Sequence, residues 1–385
     1  MFRSIASNAL TLFIFGLVGL AVGLAWVRDQ YVSQGPLENP ICVRVEKGMR
    51  LAAVSETLLA QGAITHGPIF RLSADYEGKA QEFKFGSYLV PAGASMGQIS
   101  DILTKGGQST CGRDVNYRIS VNAVQIVMRE LNPLTNRYEE ILSFDPVTEV
   151  VPTAYLEAAA ESDLRWRVTL AEGVTSWQVV EGLKRADFLE GPIEAMPAEG
   201  SLAPESYELE RATTRINLIE KMQKRQSDIL GELWAERAAD LPINSPQEAL
   251  VLASLIEKET GLADERGKVA SVFVNRLQQG MKLQTDPAVI YGLTQGMGIL
   301  GRGLRQSELE RDTPYNTYVN AGLPPTPIAN PGRVSISAAL NPDQTPYIFF
   351  VADGSGGHAF GVTLSEHNAN VATWRKLEAQ KAAKN

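Results

Sequence analysis

Hydrophobic and polar positions change rhythm several times along the chain, and each rhythm predicts a different element. From Ala9 to Val27 the residues read ALTLFIFGLVGLAVGLAWV, uncharged and bracketed by Arg3 and by Arg28-Asp29. That approaches the roughly 20 residues a helix needs to cross a bilayer. Trp26 falls where an interfacial aromatic belongs. A cleaved signal peptide is the competing reading, but its apolar core is shorter and no small-x-small cleavage site precedes the polar stretch.

After a linker marked by Gly35-Pro36 and Asn39-Pro40, Val43-Arg44-Val45 alternates as a strand. Leu51 to Gln61 then takes up helical spacing through Leu51, Val54, Leu58 and Leu59. A second helix is expected from Gly67-Pro68 to Gly78, a strand over Phe83 to Val90, and a helix over Ser95 to Thr104 with Met96, Ile99 and Leu103 inward. The phrase returns at Trp166 to Val174, a strand and glycine turn leading into a helix over Ser176 to Lys184. Strand, turn and helix twice over is the layout of small glycan-binding modules of the LysM type; a generic α+β pair shares it. Between the copies, Tyr117 to Val121, Val124 to Leu131 and Arg137 to Phe144 read as strands of an inserted β-meander, to which no chemistry attaches.

The second half is helical before it turns to loops. Thr213 to Ala239 carries Ile216, Ile219, Met222, Ile229, Leu230 and Leu233 as a core-facing stripe. Ser245-Pro246-Gln247-Glu248 announces the next helix, with serine as N-cap, proline first and glutamate as the return half of a capping box. Ala249 to Ile256 is apolar almost all round, which predicts burial. Glu257-Lys258-Glu259-Thr260 closes that helix before Gly261. A carboxylate there loses solvation and sits at the negative end of the helix dipole, so its proton is held more tightly. That is what a general acid requires; a solvated helix end with two surface glutamates is the plainer alternative. A third helix is expected from Asp264 to Gly280, and one clear strand at Tyr347 to Ala352.

The net charge is −8 with no basic excess, which argues against nucleic acid as a partner. Arg3 precedes the apolar span while Arg28 is offset by Asp29, so the N-terminus is expected in the cytoplasm and the bulk of the chain outside it. Cys42 and Cys111 flank one compact segment; a disulfide fits that compartment, and two unpaired thiols remain open. There is no HExxH, no clustered Cys/His set, no GxSxG and no phosphate-cradling glycine loop, so no metal and no cofactor are expected.

Four segments read together: Ser254-Leu255-Ile256-Glu257-Lys258-Glu259-Thr260, Leu283-Gln284-Thr285-Asp286-Pro287, Tyr315-Asn316-Thr317-Tyr318 and Gly322-Leu323-Pro324-Pro325. In this order they resemble the EKET, LQTDP, YNTY and GLPP tracts of the endolytic peptidoglycan transglycosylases of the YceG-like family, also called membrane-bound lytic transglycosylase G. Val351-Ala352-Asp353-Gly354, Gly356-Gly357-His358, His367-Asn368 and Pro204-Glu205-Ser206-Tyr207 add to the likeness. It is dense from about Ser245 to Asn368 and architectural before that, and residues 114–165 are longer than the family leads one to expect.

The resemblance implies a lyase that cleaves the β-1,4 bond between N-acetylmuramic acid and N-acetylglucosamine of nascent peptidoglycan, ending strand elongation. Glu257 is then the acid/base. Glu259 lies about 200° round the helix and cannot enter the same cleft. Gln284, Tyr315, Asn316 and Tyr318 are candidate sugar contacts, or equally loop ties. Asp286 is read as the cap of a helix over Pro287 to Gly292. The expected fold is α+β: a cytoplasmic N-terminus (1–8), a transmembrane helix (9–27), a linker (28–41), a LysM-like domain (42–113), the inserted β-meander (114–165), a second LysM-like unit (166–200) and a mixed α/β catalytic domain centred on a buried helix (201–385). A single pass through the inner membrane with a periplasmic bulk follows from the resemblance, as does partnership with the penicillin-binding proteins of the synthesis machinery. A muramidase-type hydrolase and a non-catalytic, membrane-anchored peptidoglycan-binding scaffold are the alternatives.

Overall fold

The structure, a computed structural model, describes residues 2–105, 110–161, 163–210 and 212–382. It is a mixed α+β protein whose chain divides into two units: Met1–Asn116, Val127–Phe144 and Thr148–Trp166 in the first, Tyr117–Ile126, Asp145–Val147 and Arg167–Asn385 in the second.

The first unit begins with helix α1 (Phe2–Val32). By length and composition its Leu10–Val32 stretch suffices to cross a membrane; the apolar side chains from Leu10 to Leu24 are exposed, while Val27 and Tyr31 pack on the first unit. The helix runs past the expected boundary at Val27. In its last turn Tyr31 is buried, and its hydroxyl donates to Glu77 Oε2 at 2.9 Å. Part of the expected linker is therefore a docked helix end.

Strands β1 (Ile41–Val45) and β2 (Gly86–Val90) pair antiparallel, Ile41 opposite Val90 and Val45 opposite Gly86, with helices α2 (Leu51–Ala60) and α3 (Gly67–Tyr76) between them in the chain. Helix α4 (Met96–Lys105) follows, burying Met96, Ile99 and Leu103 as the spacing predicts. These elements close on one core that includes Val43, Leu58, Phe70 and Tyr88. Cys42 and Cys111 form a disulfide with Cα atoms 5.8 Å apart, within the span such a bridge requires.

Strands β4 (Val124–Asn132) and β5 (Arg137–Phe144) fall where alternation indicates, whereas β3 (Arg113–Ile119) starts four residues before the expected Tyr117 and ends two before Val121; helix α5 (Thr153–Ala159), strand β6 (Arg165–Leu170), helix α6 (Ser176–Arg185) and strand β7 (Ser206–Leu209) follow. The sheet order is β5-β4-β3-β6-β7, so the meander and the second strand–turn–helix phrase share one sheet. In the first unit Arg129 grips the buried Asp114 through Nε and Nη2 at 2.9 and 2.6 Å. In the second, the Tyr117 hydroxyl donates to Gly182 O at 2.8 Å and fastens β3 to α6.

The rest of the second unit is helices α7 (Arg215–Ala235), α8 (Pro246–Glu259), α9 (Ala263–Gln278), α10 (Asp286–Thr294), α11 (Gln306–Leu309) and α12 (Arg333–Leu340), the hairpin β8 (Phe349–Ala352) and β9 (His358–Gly361), and helix α13 (Leu364–Ala382). Helix α8 is the axis of this unit. Its residues Ala249 to Ile256 are all buried, and its core neighbours include Val269 and Phe273 of α9 and Ile336 and Leu340 of α12. Fully burying each leucine or isoleucine contributes about 1.5–3 kcal/mol, so the C-terminal end of α8 is held firmly in place.

Candidate active site

Serine 245 starts α8 as expected, its Oγ accepting from Glu248 N at 3.2 Å. The Glu248 carboxylate returns one residue further than a capping box, accepting from Asn244 N at 2.6 Å. At the other end, three successive side chains leave the core in three directions, because each residue turns the helix by about 100°.

Glu257 enters a charged cluster. Its Oε2 accepts from Gly332 N at 2.9 Å, and its Oε1 lies 3.4 Å from Arg266 Nη2. That same nitrogen reaches Glu172 Oε2 at 3.1 Å. The Glu257 side chain is only 4% exposed, so a guanidinium and an amide replace the water it lost. Burial pushes the Glu172 carboxyl up, Glu257 adds to the rise and Arg266 opposes it. A Cβ at Gly332 would meet the Glu172 carboxylate, so a larger residue there would have to displace that side chain.

Lys258 points elsewhere, its Nζ donating to Gly173 O at 3.3 Å. It lines a cavity of about 440 Å³ together with residues of α10 and of the segment 296–302.

Glu259 faces the LQTDP and YNTY segments. Its Oε1 accepts from the Thr285 hydroxyl. Its Oε2 has no hydrogen-bond partner among the described residues and is not sealed from solvent. Burial raises its pKa from 4.5 to about 7, against the Thr285 hydrogen bond and the positive charge of His358 and Arg276, and with the help of Asp286.

The two motif segments are stitched together beside this carboxyl. Thr285 N donates to Thr317 Oγ1 at 2.9 Å, Thr317 Oγ1 donates to Thr285 O at 3.2 Å, and Gln284 N donates to Thr317 O at 3.1 Å. Gln284 is exposed and adopts a left-handed backbone, φ 50°, which a non-glycine residue holds only under constraint. The Tyr318 hydroxyl donates to Asp286 Oδ1 at 2.6 Å. Asp286 therefore does not cap α10: Thr285 occupies the N-cap and Asp286 is the first helical residue, where its charge favours the helix dipole. Tyr315 shares a hydrogen with Thr326 at 2.8 Å and packs its ring 5.1 Å from that of Tyr291.

Asn316 is separate. It is wholly buried, its Nδ2 reaching Glu308 O, Leu309 O and Arg311 O at 3.1, 3.0 and 2.7 Å, while its Oδ1 accepts from Tyr318 N at 3.0 Å. Every hydrogen-bonding atom of its amide is engaged within the loop, so of the two roles open to it only the tie fits. Among the remaining motif residues, His358 is paired through Nδ1 with Glu265 Oε2 at 2.8 Å, and the His367 ring stacks 4.9 Å from Phe349. Tyr207 donates to Ala203 O at 2.8 Å and Glu205 pairs with Arg225 at 2.8 Å, both structural roles.

Glu172, Arg266 and Glu199 were not legible as site residues. Glu172 lies in the glycine turn after β6, where the sequence offers a turn signal and no chemical one. Glu199 is buried, accepts from Ser176 N at 2.8 Å and from the Tyr291 hydroxyl at 3.1 Å, and burial raises its pKa.

Comparison with known proteins gives three kinds of likeness. The YceG-like family matches residues 146–373. The endolytic murein transglycosylase of Bacillus subtilis (strain 168) is 41% identical over 172 residues, covering 45% of this chain and 46% of that protein. The endolytic murein transglycosylase of Streptococcus pneumoniae serotype 2 (strain D39 / NCTC 7466) is 26% identical over 348 residues, covering 86% of this chain and 58% of that one. The chain thus spans about half the length of these curated relatives. A crystal structure of a YceG-like protein from Listeria monocytogenes aligns over 86% of this chain and 98% of its own, with 24% identity and a TM-score of 0.45.

Proposed function

The chain belongs to the YceG-like family, and we propose that it is an endolytic lytic transglycosylase of peptidoglycan in which Glu259, not Glu257, is the acid/base. The observation that carries this is the Glu259 carboxyl: protonated up to about pH 7, anchored at one oxygen by Thr285 and free at the other. Glu257 was the expectation from the motif, but both of its oxygens are already engaged, by Gly332 N and by Arg266, and leave none facing a substrate.

In this reading Glu259 gives its proton to the glycosidic oxygen as the bond to the muramyl C1 breaks. The resulting carboxylate then removes the proton from the muramyl C6 hydroxyl, whose oxygen bonds to C1 and closes a 1,6-anhydro ring. The nucleophile is part of the substrate, so its effective concentration is high and no water need be activated. A hydrolase would need a second carboxyl across the bond; Glu257 faces a different side of the helix and does not supply one. Gln284, Tyr315 and Tyr318 remain the proposed sugar contacts, and Asn316 is reassigned to holding their loop.

The same reading gives α1 the role of an uncleaved inner-membrane anchor, with the bulk of the chain in the periplasm. The strand–helix–helix–strand order of β1, α2, α3 and β2 supports a LysM-like, glycan-binding first module. Termination of nascent strands beside the penicillin-binding proteins would follow.

The test is product analysis on purified glycan strands. Glu259→Gln is expected to lower formation of anhydro ends by about 10²–10⁴-fold, while Glu257→Gln retains it. Reducing ends in place of anhydro ends would establish a hydrolase. A wild-type chain that binds strands and cuts none would leave only the scaffold, and loss confined to Glu257→Gln would return the role to that residue.

A further inference from the structure

The cavity beside the candidate acid holds a cation that the proposed chemistry does not use. Of the polar side chains lining it, most are already matched within the protein. Thr175 Oγ1 donates to Gly296 O at 2.7 Å, Gln178 Nε2 to Val121 O at 2.8 Å, Thr294 Oγ1 to Ile290 O at 3.0 Å, and the Tyr291 hydroxyl to Glu199. Arg302 is held in a two-pronged pair with Glu308 at 2.9 and 2.5 Å. Lys258 is the exception: an ammonium has three hydrogens, and among the described residues only one acceptor, Gly173 O at a long 3.3 Å, takes any of them.

We propose that this cavity is a carboxylate-binding subsite, with Lys258 at its base, that receives the peptide carried by the glycan strand. The proposal rests on the transglycosylase reading for the identity of the ligand, though not for the existence of the site. At about 440 Å³ the space is within the range of small-ligand pockets. Its walls are mainly apolar, including Ile290 and Ile328, which suits a short peptide with small apolar side chains. Ile299 lines the cavity yet is 64% exposed, an apolar rim that a bound peptide would cover.

Position favours the same ligand. Lys258 directly precedes Glu259, so the cavity and the candidate acid lie on adjoining faces of one helix end, and α10 borders both. A strand whose glycosidic oxygen meets Glu259 would carry its side peptide toward this cavity.

The groups facing the ammonium leave room for a further anion. Glu257 is committed to Arg266 and Gly332. Glu199 is engaged by Ser176 and Tyr291, and burial favours its neutral form. Burial also lowers the Lys258 pKa, so a ligand carboxylate would restore the stabilisation that solvent no longer gives.

Binding is measured with the full chain in detergent carrying Glu259→Gln, so that ligands are not cut. The probes are glycan oligomers bearing their peptides, the same oligomers stripped of peptide, and peptide-bearing oligomers with the carboxyls amidated. Stripped oligomers retain free lactyl carboxylates and therefore separate the two sources of negative charge. Peptide-bearing oligomers are expected to bind about tenfold or more tightly than the other two, as one charge-assisted hydrogen bond allows. Adding Lys258→Met should abolish that preference, and Lys258→Arg should keep part of it. Equal binding of peptide-bearing and stripped oligomers overturns the proposal, as does a preference that survives Lys258→Met. The amidated arm needs no substitution at Lys258, so it decides the matter even if that variant folds poorly. A wild type that makes no anhydro ends yet keeps the preference would sink the proposed activity and leave the subsite standing.

Discussion

Replacing Glu259 with glutamine should make the protein more stable, and by an amount that depends on pH in a defined way. The carboxyl titrates at about 7 in the folded chain against an ordinary value of 4.5. At about 1.4 kcal/mol per pH unit, the folded state holds this proton by about 3.5 kcal/mol more than the unfolded state does. Below pH 4.5 both states are protonated and the group contributes no pH dependence. Between 4.5 and about 7 the unfolded chain has released the proton and the folded chain has not. The folded state then binds more protons, and linkage makes stability fall as pH rises. Above about 7 the fall is complete and the folded protein carries a buried, poorly compensated carboxylate. Glutamine is neutral throughout and keeps an oxygen for the Thr285 hydroxyl. The difference in urea unfolding free energy between Glu259→Gln and wild type should therefore be smallest at pH 4, widen through pH 5–7, and level off about 3.5 kcal/mol higher by pH 8. A difference that does not vary from pH 4 to 8 would refute the claim that this carboxyl is desolvated, and the proposed mechanism with it.

Two further outcomes follow from the same coordinates. Replacing both Cys42 and Cys111 by alanine opens a crosslink between residues 69 apart in sequence and should destabilise the first unit by about 4 kcal/mol, on the loop-entropy model; unfolding with and without reductant measures it. Asn316→Ala strips three loop carbonyls of their donor and should lower stability by about 2–4 kcal/mol. Because the amide holds the loop rather than the sugar, kcat/KM should fall with it, and Asn316→Asp should rescue little, since a carboxylate presents no donor to those carbonyls.

Periodicity carried the elements whose burial is one-sided. Helix α4 buries Met96, Ile99 and Leu103 as its spacing requires, and α8 is buried over the whole apolar run that announces it. Where long-range contacts decided the conformation, local pattern misled or was silent. Helix α12, Arg-Val-Ser-Ile-Ser-Ala-Ala-Leu, alternates like a strand, and becomes helical because Ile336, Ala339 and Leu340 pack on the α8 core. The last turn of α1 reads as the start of a linker, and is helix because Tyr31 has a buried place and a partner in Glu77. The meander strands are visible one by one, but their sheet partner β6 is a non-local choice that no window of sequence contains.

The two glutamates at the end of α8 show how a motif can be legible while the surroundings of each residue within it are not. From the sequence both are acids in the last turn of a buried helix, and both lose water. What separates them is what arrives from far along the chain: Gly332 and Glu172 with Arg266 on one side, Thr285 with Tyr318 and Asp286 nearby on the other. The first set brings a guanidinium and an amide to within hydrogen-bonding or ion-pair reach, and at Gly332 the missing Cβ leaves the Glu172 side chain its place. The second brings a hydroxyl and no cation in contact. Burial therefore leaves a carboxyl engaged by a guanidinium and an amide at one position, and a carboxyl whose pKa burial raises two residues later. Divergent environments for neighbouring acids are how one site assigns distinct roles to the same side chain. Because about 200° of helix rotation separates the two, the face on which the LQTDP segment docks decides which glutamate it meets, and so which one is proposed as the acid. That docking is fixed by the hydrogen bonds between Thr285 and Thr317, 32 residues apart in the chain.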